Sequence, residues 1–206
     1  MTDIWPSVHA ERKALSEDLA NLSPEQWHTA TECPAWDVHD LLAHMVSAAT
    51  MTPPKFIARM ATSGFNFDKY ADREVRREGA GGPEATLRRF TEVLYSTSAP
   101  PGPKPTWLGE VVVHADDIRR AIGLTHTYRT EDLAQVLEFY ASSNPIIHGK
   151  DRVAGLMLKA DDADVTVGSG AVVQGPLLAL VRATTGRTSA LDELSGPGLD
   201  VLRKRD

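Results

Sequence analysis

The stretch Trp107–Ile122, WLGEVVVHADDIRRAI, decides both the fold and the candidate site. At about 100° per residue, an α-helix places Val111 and Ile118 on one apolar stripe, as expected for a helix packed in a bundle. Glu110 and His114 fall in the middle of that stripe, one turn apart. A carboxylate directed at an apolar core costs free energy unless it is paired or bound to a metal. The helix therefore predicts either a metal site or a buried Glu–His hydrogen bond that only shapes the core.

Helical patterns also fill the chain before this stretch. Apolar residues recur at helical spacing from Ile4 to Leu22, and Ser23-Pro24-Glu25-Gln26 carries the signature of a capping box. Asp37 is expected to cap a helix over residues 38–49, and residues 55–78 to form a helix broken near Gly64. Further helices are expected from Pro83, from Trp107 with Thr106 as the cap, and from Thr130.

The pattern changes after Pro145. Residues 156–159 and 164–168 have the apolar content or alternation of short strands, and Pro176 opens a helix that ends before Gly186. The glycines of Gly168-Ser169-Gly170 are interpreted as a strand–turn–helix connection rather than a phosphate-binding loop, because the lysine of such loops is absent. The sequence predicts a mainly α protein, with a helical bundle over residues 1–145 and a small C-terminal α+β element over residues 146–206.

Composition narrows the functional class. The chain has 206 residues, of which 42% are apolar and 24% charged, as in ordinary soluble proteins. Its net charge of −6 makes nucleic acid and anionic membrane poor candidates for the main partner. A single cysteine, Cys33, excludes an internal disulfide and fits a reducing compartment. Because no signal-like N-terminal segment and no long apolar run are found, we expect a cytoplasmic protein.

A metal site needs a third ligand beside Glu110 and His114. His44 is the best candidate among the other histidines, because it lies at the flank of the apolar face formed by Val38, Leu41 and Met45. Two imidazole nitrogens and one carboxylate oxygen are the ligand set of catalytic zinc with an open fourth position. The alternative is that His44 is a satisfied, half-buried histidine of the core.

Two motifs carry a resemblance to a known family. Cys33-Pro-Ala-Trp-Asp-Val-His-Asp-Leu-Leu-Ala-His44 resembles the first metal motif of the mycothiol-dependent maleylpyruvate isomerase family, part of the DinB-like bundle superfamily. Gly109-Glu110-Val-Val-Val-His114-Ala-Asp-Asp-Ile-Arg-Arg-Ala resembles the second, and residues 168–187 are similar to the C-terminal element of many members. The resemblance implies a DinB-like up-and-down bundle, a divalent metal, usually zinc, held by His44, Glu110 and His114, and mycothiol as cosubstrate.

Other residues are assigned weaker roles. Asp116 and Asp117 are expected on a solvated face, with Asp117 near enough to Glu110 to support the ligands. The resemblance implies an arginine contributed by the C-terminal element, for which Arg182 and Arg187 are possible counterparts, although helical spacing predicts that Arg182 is exposed. Cys33 is interpreted as a packing residue. No residue is assigned a catalytic or substrate-binding role.

The expected function is metal-dependent chemistry of a low-molecular-weight thiol, as an S-transferase or a thiol-assisted isomerase. A coordinated thiol loses its proton, and the thiolate attacks an electrophilic carbon. The alternatives are a metal-dependent hydrolase and a metal-containing binding or stress-response module without turnover. The expected partners are a small-molecule thiol and an electrophile, without nucleic acid or membrane, for a monomer or homodimer.

Overall fold

The computed structural model describes residues 3–34 and 36–205, so that Ala35 of the first motif, and Met1, Thr2 and Asp206 at the ends, lie outside the described residues. The helices are α1 (Trp5–Asp18), α2 (Pro24–Trp27), α3 (Val38–Thr50), α4 (Pro53–Thr62), α5 (Phe67–Glu78), α6 (Pro83–Glu92), α7 (Lys104–Ala121), α8 (Thr130–Ser142), α9 (Gly149–Arg152), α10 (Leu177–Thr184) and α11 (Leu199–Arg203), with a 3-10 helix over Thr188–Glu193. The strands are β1 (Leu156–Ala160), β2 (Thr166–Gly168) and β3 (Ala171–Gly175). The predicted fold class, mainly α with a small C-terminal α+β element, is confirmed. None of the described helices combines the length and the apolar composition needed to cross a membrane.

Helix α3 is the centre of the first compact unit, Met1–His126. It packs against α5, α6 and α7, while α1 packs against α7 and α6. Its apolar face, with Leu41, Leu42 and Met45, is almost completely buried. The predicted cap is confirmed, because an Asp37 side-chain oxygen accepts a hydrogen bond from the backbone N–H of Asp40 at 2.8 Å. This packing fixes the middle of α3 next to α7.

The segment that follows α3 is broken as the sequence predicts. Gly64 and Phe65 both have positive φ, 66° and 57°, which ends α4 and separates it from α5. Helix α4 has no buried residue, and Ile57 and Phe65 are among the most exposed large apolar side chains. An ion pair between Arg59 and the buried carboxylate of Glu74 ties α4 to α5. This ion pair is one of the contacts that hold the helix at the surface of the bundle.

Helix α7 begins earlier than predicted. It starts at Lys104 with Pro103 at the N-cap, so Thr106 does not cap it. Proline is tolerated in the first turn, where its missing N–H would have no partner within the helix, and Pro105 is therefore compatible with this start. The predicted end is confirmed, because Gly123 follows α7 with a φ of 75°.

The second compact unit, Thr127–Asp206, begins before the predicted boundary at residue 145. Helix α8, which the sequence analysis assigns to the bundle, packs against α9 and α10 in this unit. Its apolar face, with Leu133, Val136 and Leu137, is buried as helical periodicity predicts. Periodicity indicates that a face is covered, but it does not identify the element that covers it.

The sheet of the second unit has the order β2-β1-β3, with β2 antiparallel and β3 parallel to β1. The sequence analysis interprets the glycine stretch before β3 as a turn into a helix, and strand β3 was not predicted. The chain crosses the start of β1 at these glycines, where a Cβ on Gly170 would lie 2.0 Å from the carbonyl oxygen of Gly155. Glycine is therefore required here because two backbone segments lie close together, and not because the loop binds a phosphate.

Arg182 is buried, which corrects the prediction that it is exposed. The residue has no solvent-accessible surface, and its guanidinium donates to Glu193 at 2.8 Å and to Ser189 at 2.7 Å. Nearly every residue of helix α10 is buried, and the 3-10 helix packs against it on the side of Arg182. A pattern with one apolar face does not reveal such a second cover. Arg187 is also largely buried and donates to the carbonyl oxygen of Thr185.

Candidate metal centre

Two helices of the first unit bring the three predicted ligands together. Helix α3 carries His44, and α7 carries Glu110 and His114. Each side chain offers one ligand atom, and these atoms all lie within 4.8 Å of one another. The two imidazole rings meet edge to face, with centroids 5.1 Å apart. Two histidines and a carboxylate in this proximity, on facing helices, are how helical bundles build metal sites.

Glu110 provides the test of whether a cation fits. The carboxylate is buried, and no hydrogen-bond partner is found for its Oε1 among the described residues. Burial raises the pKa of Glu110, and this is opposed first by His114 and then by Arg12. An unpartnered buried oxygen is costly in a folded protein unless something outside the chain satisfies it. The donor set and this oxygen together fit a divalent metal.

His44 packs against an aromatic neighbour. The indole of Trp36, in the turn before α3, lies with its ring centroid 4.8 Å from that of His44. Burial, followed by the neighbouring His114, lowers the pKa of His44 to about 3. The ring is therefore neutral at physiological pH, which is the state that ligates a metal. Among the described residues, neither of its ring nitrogens has a hydrogen-bond partner.

Asp117 lies beside His114, as expected of a residue that supports a ligand. Its Oδ2 is 3.3 Å from Nδ1 of His114, and because a carboxylate accepts, Nδ1 carries the proton. This leaves Nε2 as the lone-pair nitrogen. The prediction that Asp116 and Asp117 lie on a solvated face is wrong, because only 3% and 1% of their surfaces are exposed. Asp116 instead pairs with Arg120 at 2.9 Å, so that both faces of α7 carry buried acids.

The sequence analysis missed Arg12. This residue of α1 is only 2% exposed, and its charge acts on Glu110. The sequence does contain an indication that Arg12 is buried. It lies four residues after Val8 and three before Leu15, within the apolar stripe of α1. Glu110 was selected on the same ground, because it too is a charged residue on an apolar helix face.

A second group of potential ligands lies at the start of α3. Ligand atoms of Asp37, His39 and Asp40 also lie within 4.8 Å of one another. Asp37 already caps the helix and contacts His28 at 2.9 Å, while Nε2 of His39 lies 3.0 Å from the Thr86 hydroxyl. These contacts explain why the three side chains lie close together at the start of α3 without a metal ion.

The buried histidine predicts how the stability of the metal-free protein depends on pH. Unfolded His44 binds a proton below about 6.5, whereas folded His44 does so only near 3. Its contribution is therefore fully present above pH 6.5 and is lost as pH falls from 6.5 towards 3. The raised pKa of Glu110 acts in the opposite direction, because that contribution is lost as pH rises through the folded value.

Comparison with a His44→Gln variant isolates the histidine contribution. Between pH 6.5 and pH 5, wild type should lose about 2 kcal/mol of unfolding free energy relative to the variant. Urea unfolding in a chelator, followed by circular dichroism, measures this difference. His28→Gln makes the same chemical change at a side chain that is 65% exposed, and should follow wild type. Parallel pH profiles for wild type and His44→Gln would contradict the prediction.

The fold and this cluster define a helical-bundle protein with a candidate metal centre. Residues 8–99 match a family model described as Mycothiol maleylpyruvate isomerase N-terminal domain. Residues 8–99, a little under half of the chain, are thus similar to the N-terminal domain of that family, and the resemblance predicted from the two motifs is confirmed. The matched residues include His44 but end before Glu110 and His114.

Solved structures extend the likeness to most of the chain. Two crystal structures, described as the mycothiol-dependent maleylpyruvate isomerase and as a histidine-to-alanine mutant of it, each align with a TM-score of 0.63. Each alignment covers 94% of this chain and 91% of the other, at 16% identity. At this identity the likeness shows the fold alone. No curated protein matches the sequence.

Proposed function

We propose that this protein is a metal-dependent enzyme of low-molecular-weight thiol chemistry, with mycothiol as cosubstrate. The observation that carries the proposal is the convergence of His44, Glu110 and His114, with an unpartnered Glu110 oxygen, in a bundle of the isomerase family. These three side chains would hold a divalent metal, zinc by the chemistry of the donor set. When bound, such a metal keeps a thiol in its thiolate form at neutral pH.

The roles of the chain's own residues follow from their positions. Asp117 orients His114 through Nδ1, and Trp36 packs on the His44 ring and shields it from water. Three protein ligands leave one coordination position for a thiol sulfur. These groups only position and ionise the thiol, and a bound thiolate is the first requirement of two reactions. The proposed reaction type is therefore either S-transfer to an electrophilic carbon or thiol-assisted isomerisation.

The segment after α3 is proposed to border the substrate. Helix α4 follows the His44-bearing helix after two residues and buries none of its own side chains. The exposed aromatic Phe65 lies at the break between α4 and α5. Exposed apolar side chains on a separately held helix suit a wall that closes over a small ligand better than a core element. A cytoplasmic location and small-molecule partners belong to the same proposal.

Binding of the thiol tests the proposal directly. Full-length protein loaded with Co²⁺ is titrated with mycothiol, and we expect a sulfur-to-cobalt charge-transfer absorption band that saturates at one thiol per protein. S-methylated mycothiol, which has no ionisable thiol, is the matched control and should give no band. A cobalt-loaded protein that gives no band with mycothiol would refute thiol chemistry and favour the alternatives of a hydrolase or a binding module.

A further inference from the structure

The first compact unit contains a cavity whose described lining residues include no ligand of the candidate metal centre. The end of α1, helix α2 and the start of α6 border it, and its volume is about 430 Å³. Small-molecule sites have volumes in this range and apolar walls with a few polar groups. The apolar part of the lining consists of Leu19, Leu22, Trp27, Pro83 and Leu87.

Trp27 brings an unpartnered polar group to the wall of this cavity. Only 6% of the surface of this residue is exposed. Nevertheless, its indole N–H forms no hydrogen bond within the part of the chain that the structure describes. A buried indole N–H usually has a hydrogen-bond acceptor. A ligand with a hydroxyl oxygen can supply that acceptor here.

Glu84 gives the cavity a negative charge. Its side chain is exposed, and within residues 3–34 and 36–205 no ion pair and no side-chain hydrogen bond is found for it. The described lining residues include no lysine or arginine. His28, the other titratable residue of the lining, already contacts the Asp37 carboxylate at 2.9 Å. A cationic group in the cavity therefore meets an unpaired carboxylate.

The end of helix α1 adds partial negative charge to the same cavity. Leu19 and Ala20 directly follow α1, and both line the cavity. The last carbonyl groups of a helix have no partner within it and carry partial negative charge. The last turn of α1 has no basic residue that would offset this charge. The start of α6 has the opposite polarity, but Glu84 lies in its first turn and offsets it, so that the cavity favours a cation.

We propose that this cavity is a binding site for a small organic cation, an ammonium compound with an apolar body and a hydroxyl group. The apolar body packs against Leu22 and Leu87, the hydroxyl oxygen accepts from the N–H of Trp27, and the ammonium group lies at Glu84 and the end of α1. The competing explanation is structural: the apolar side chains only pack the bundle, and Glu84 only complements the dipole of α6. The inference goes beyond the proposed function and does not depend on it, because the site uses no metal.

Two probes of the same shape test the preference for a cation. Phenylethanolamine, which is cationic at pH 7, and phenylethylene glycol, in which a hydroxyl replaces the ammonium group, are titrated into ¹⁵N-labelled full-length protein. The NMR signal of the Trp27 indole N–H reports binding. Both probes should shift this signal, and phenylethanolamine should bind at least about threefold more tightly, as expected of a solvent-accessible charge pair. Equal affinities, or no shift with either probe at millimolar concentrations, would overturn the inference.

Replacing Glu84 by Gln separates ligand binding from the structural explanation. The substitution keeps the shape of the side chain and removes its charge. Glu84→Gln should bind phenylethanolamine at least about threefold more weakly than wild type and phenylethylene glycol equally well, which shows that the cavity is intact. Glu92→Gln removes another exposed acid of α6 that is not among the lining residues, and should match wild type for both probes. Equal losses of both affinities in Glu84→Gln, or the same loss of phenylethanolamine affinity in Glu92→Gln, would leave only the structural explanation.

Discussion

Replacing Glu110 by Gln should weaken divalent-metal binding at least about tenfold and leave the metal-free fold intact. The substitution keeps the size of the side chain but removes the negative charge that a cation site requires. The metal-free protein should unfold with a free energy within about 1 kcal/mol of wild type or above it, because a buried carboxylate with an unpartnered oxygen is itself unfavourable. Competition with a chromophoric chelator measures the affinity, and urea unfolding measures the stability.

Glu74→Gln is the matched control for this experiment. Glu74 is also buried, at 2% exposure, but its carboxylate pairs with Arg59 and with Arg77. Its replacement should leave metal affinity unchanged and lower the unfolding free energy by about 1–3 kcal/mol, because it removes the acceptor of two arginines. Glu110 is not a ligand if its variant binds metal as tightly as wild type. Loss of most helical circular dichroism on chelation of wild type would show that the bundle needs the ion to fold.

Replacing His114 by Ala should reduce the conjugation of mycothiol to monochlorobimane to the rate without protein. The variant lacks one of three proposed ligands and the side chain that Asp117 orients. Lowering a thiol pKa from about 8.5 to below 7 raises the thiolate fraction at pH 7 by about tenfold to thirtyfold. The lower pKa also reduces intrinsic nucleophilicity, so that positioning of the electrophile must supply the larger share. The expected loss is therefore at least about thirtyfold.

Two further variants make this result interpretable. Asp117→Asn keeps His114 but weakens its Nδ1 contact, and should show an intermediate rate, since partners of metal ligands are worth about tenfold to a hundredfold. His28→Ala removes an exposed histidine outside the cluster and should conjugate as wild type does. Equal rates for wild type and His114→Ala, with metal bound only by wild type, would remove the metal from the reaction and favour the binding-module alternative.

The candidate site could be predicted from sequence because its residues break a simple pattern. Glu110 and His114 occupy a helix face that is otherwise apolar, and a polar residue at such a position requires a partner. Arg12 breaks the pattern of α1 in the same way, but it lies about a hundred residues from Glu110 along the chain. Only the tertiary structure, in which α1 packs against α7, lets the charge of Arg12 act on Glu110.

Two of the predictions that failed concerned the far side of a helix. Arg182 and Asp116 were both expected in solvent, because helical spacing places them away from the most apolar stripe. Both are buried, and each pairs with an opposite charge: Arg182 with Glu193 of the 3-10 helix, and Asp116 with Arg120 one turn later in α7. A pattern of one apolar face identifies the first surface that is covered, and carries no information on a second.

The sequence by itself determined the helical class, the break at Gly64 and the three residues of the candidate centre. These are local properties, since periodicity, caps and positive-φ glycines depend on neighbours within a few residues. Tertiary structure alone decided that α8 belongs to the second compact unit, that β3 pairs parallel to β1, and that the charge of Arg12 acts on Glu110. Each of these depends on which apolar surfaces meet, and because burial of apolar surface is not directional, many pairings satisfy the same sequence pattern.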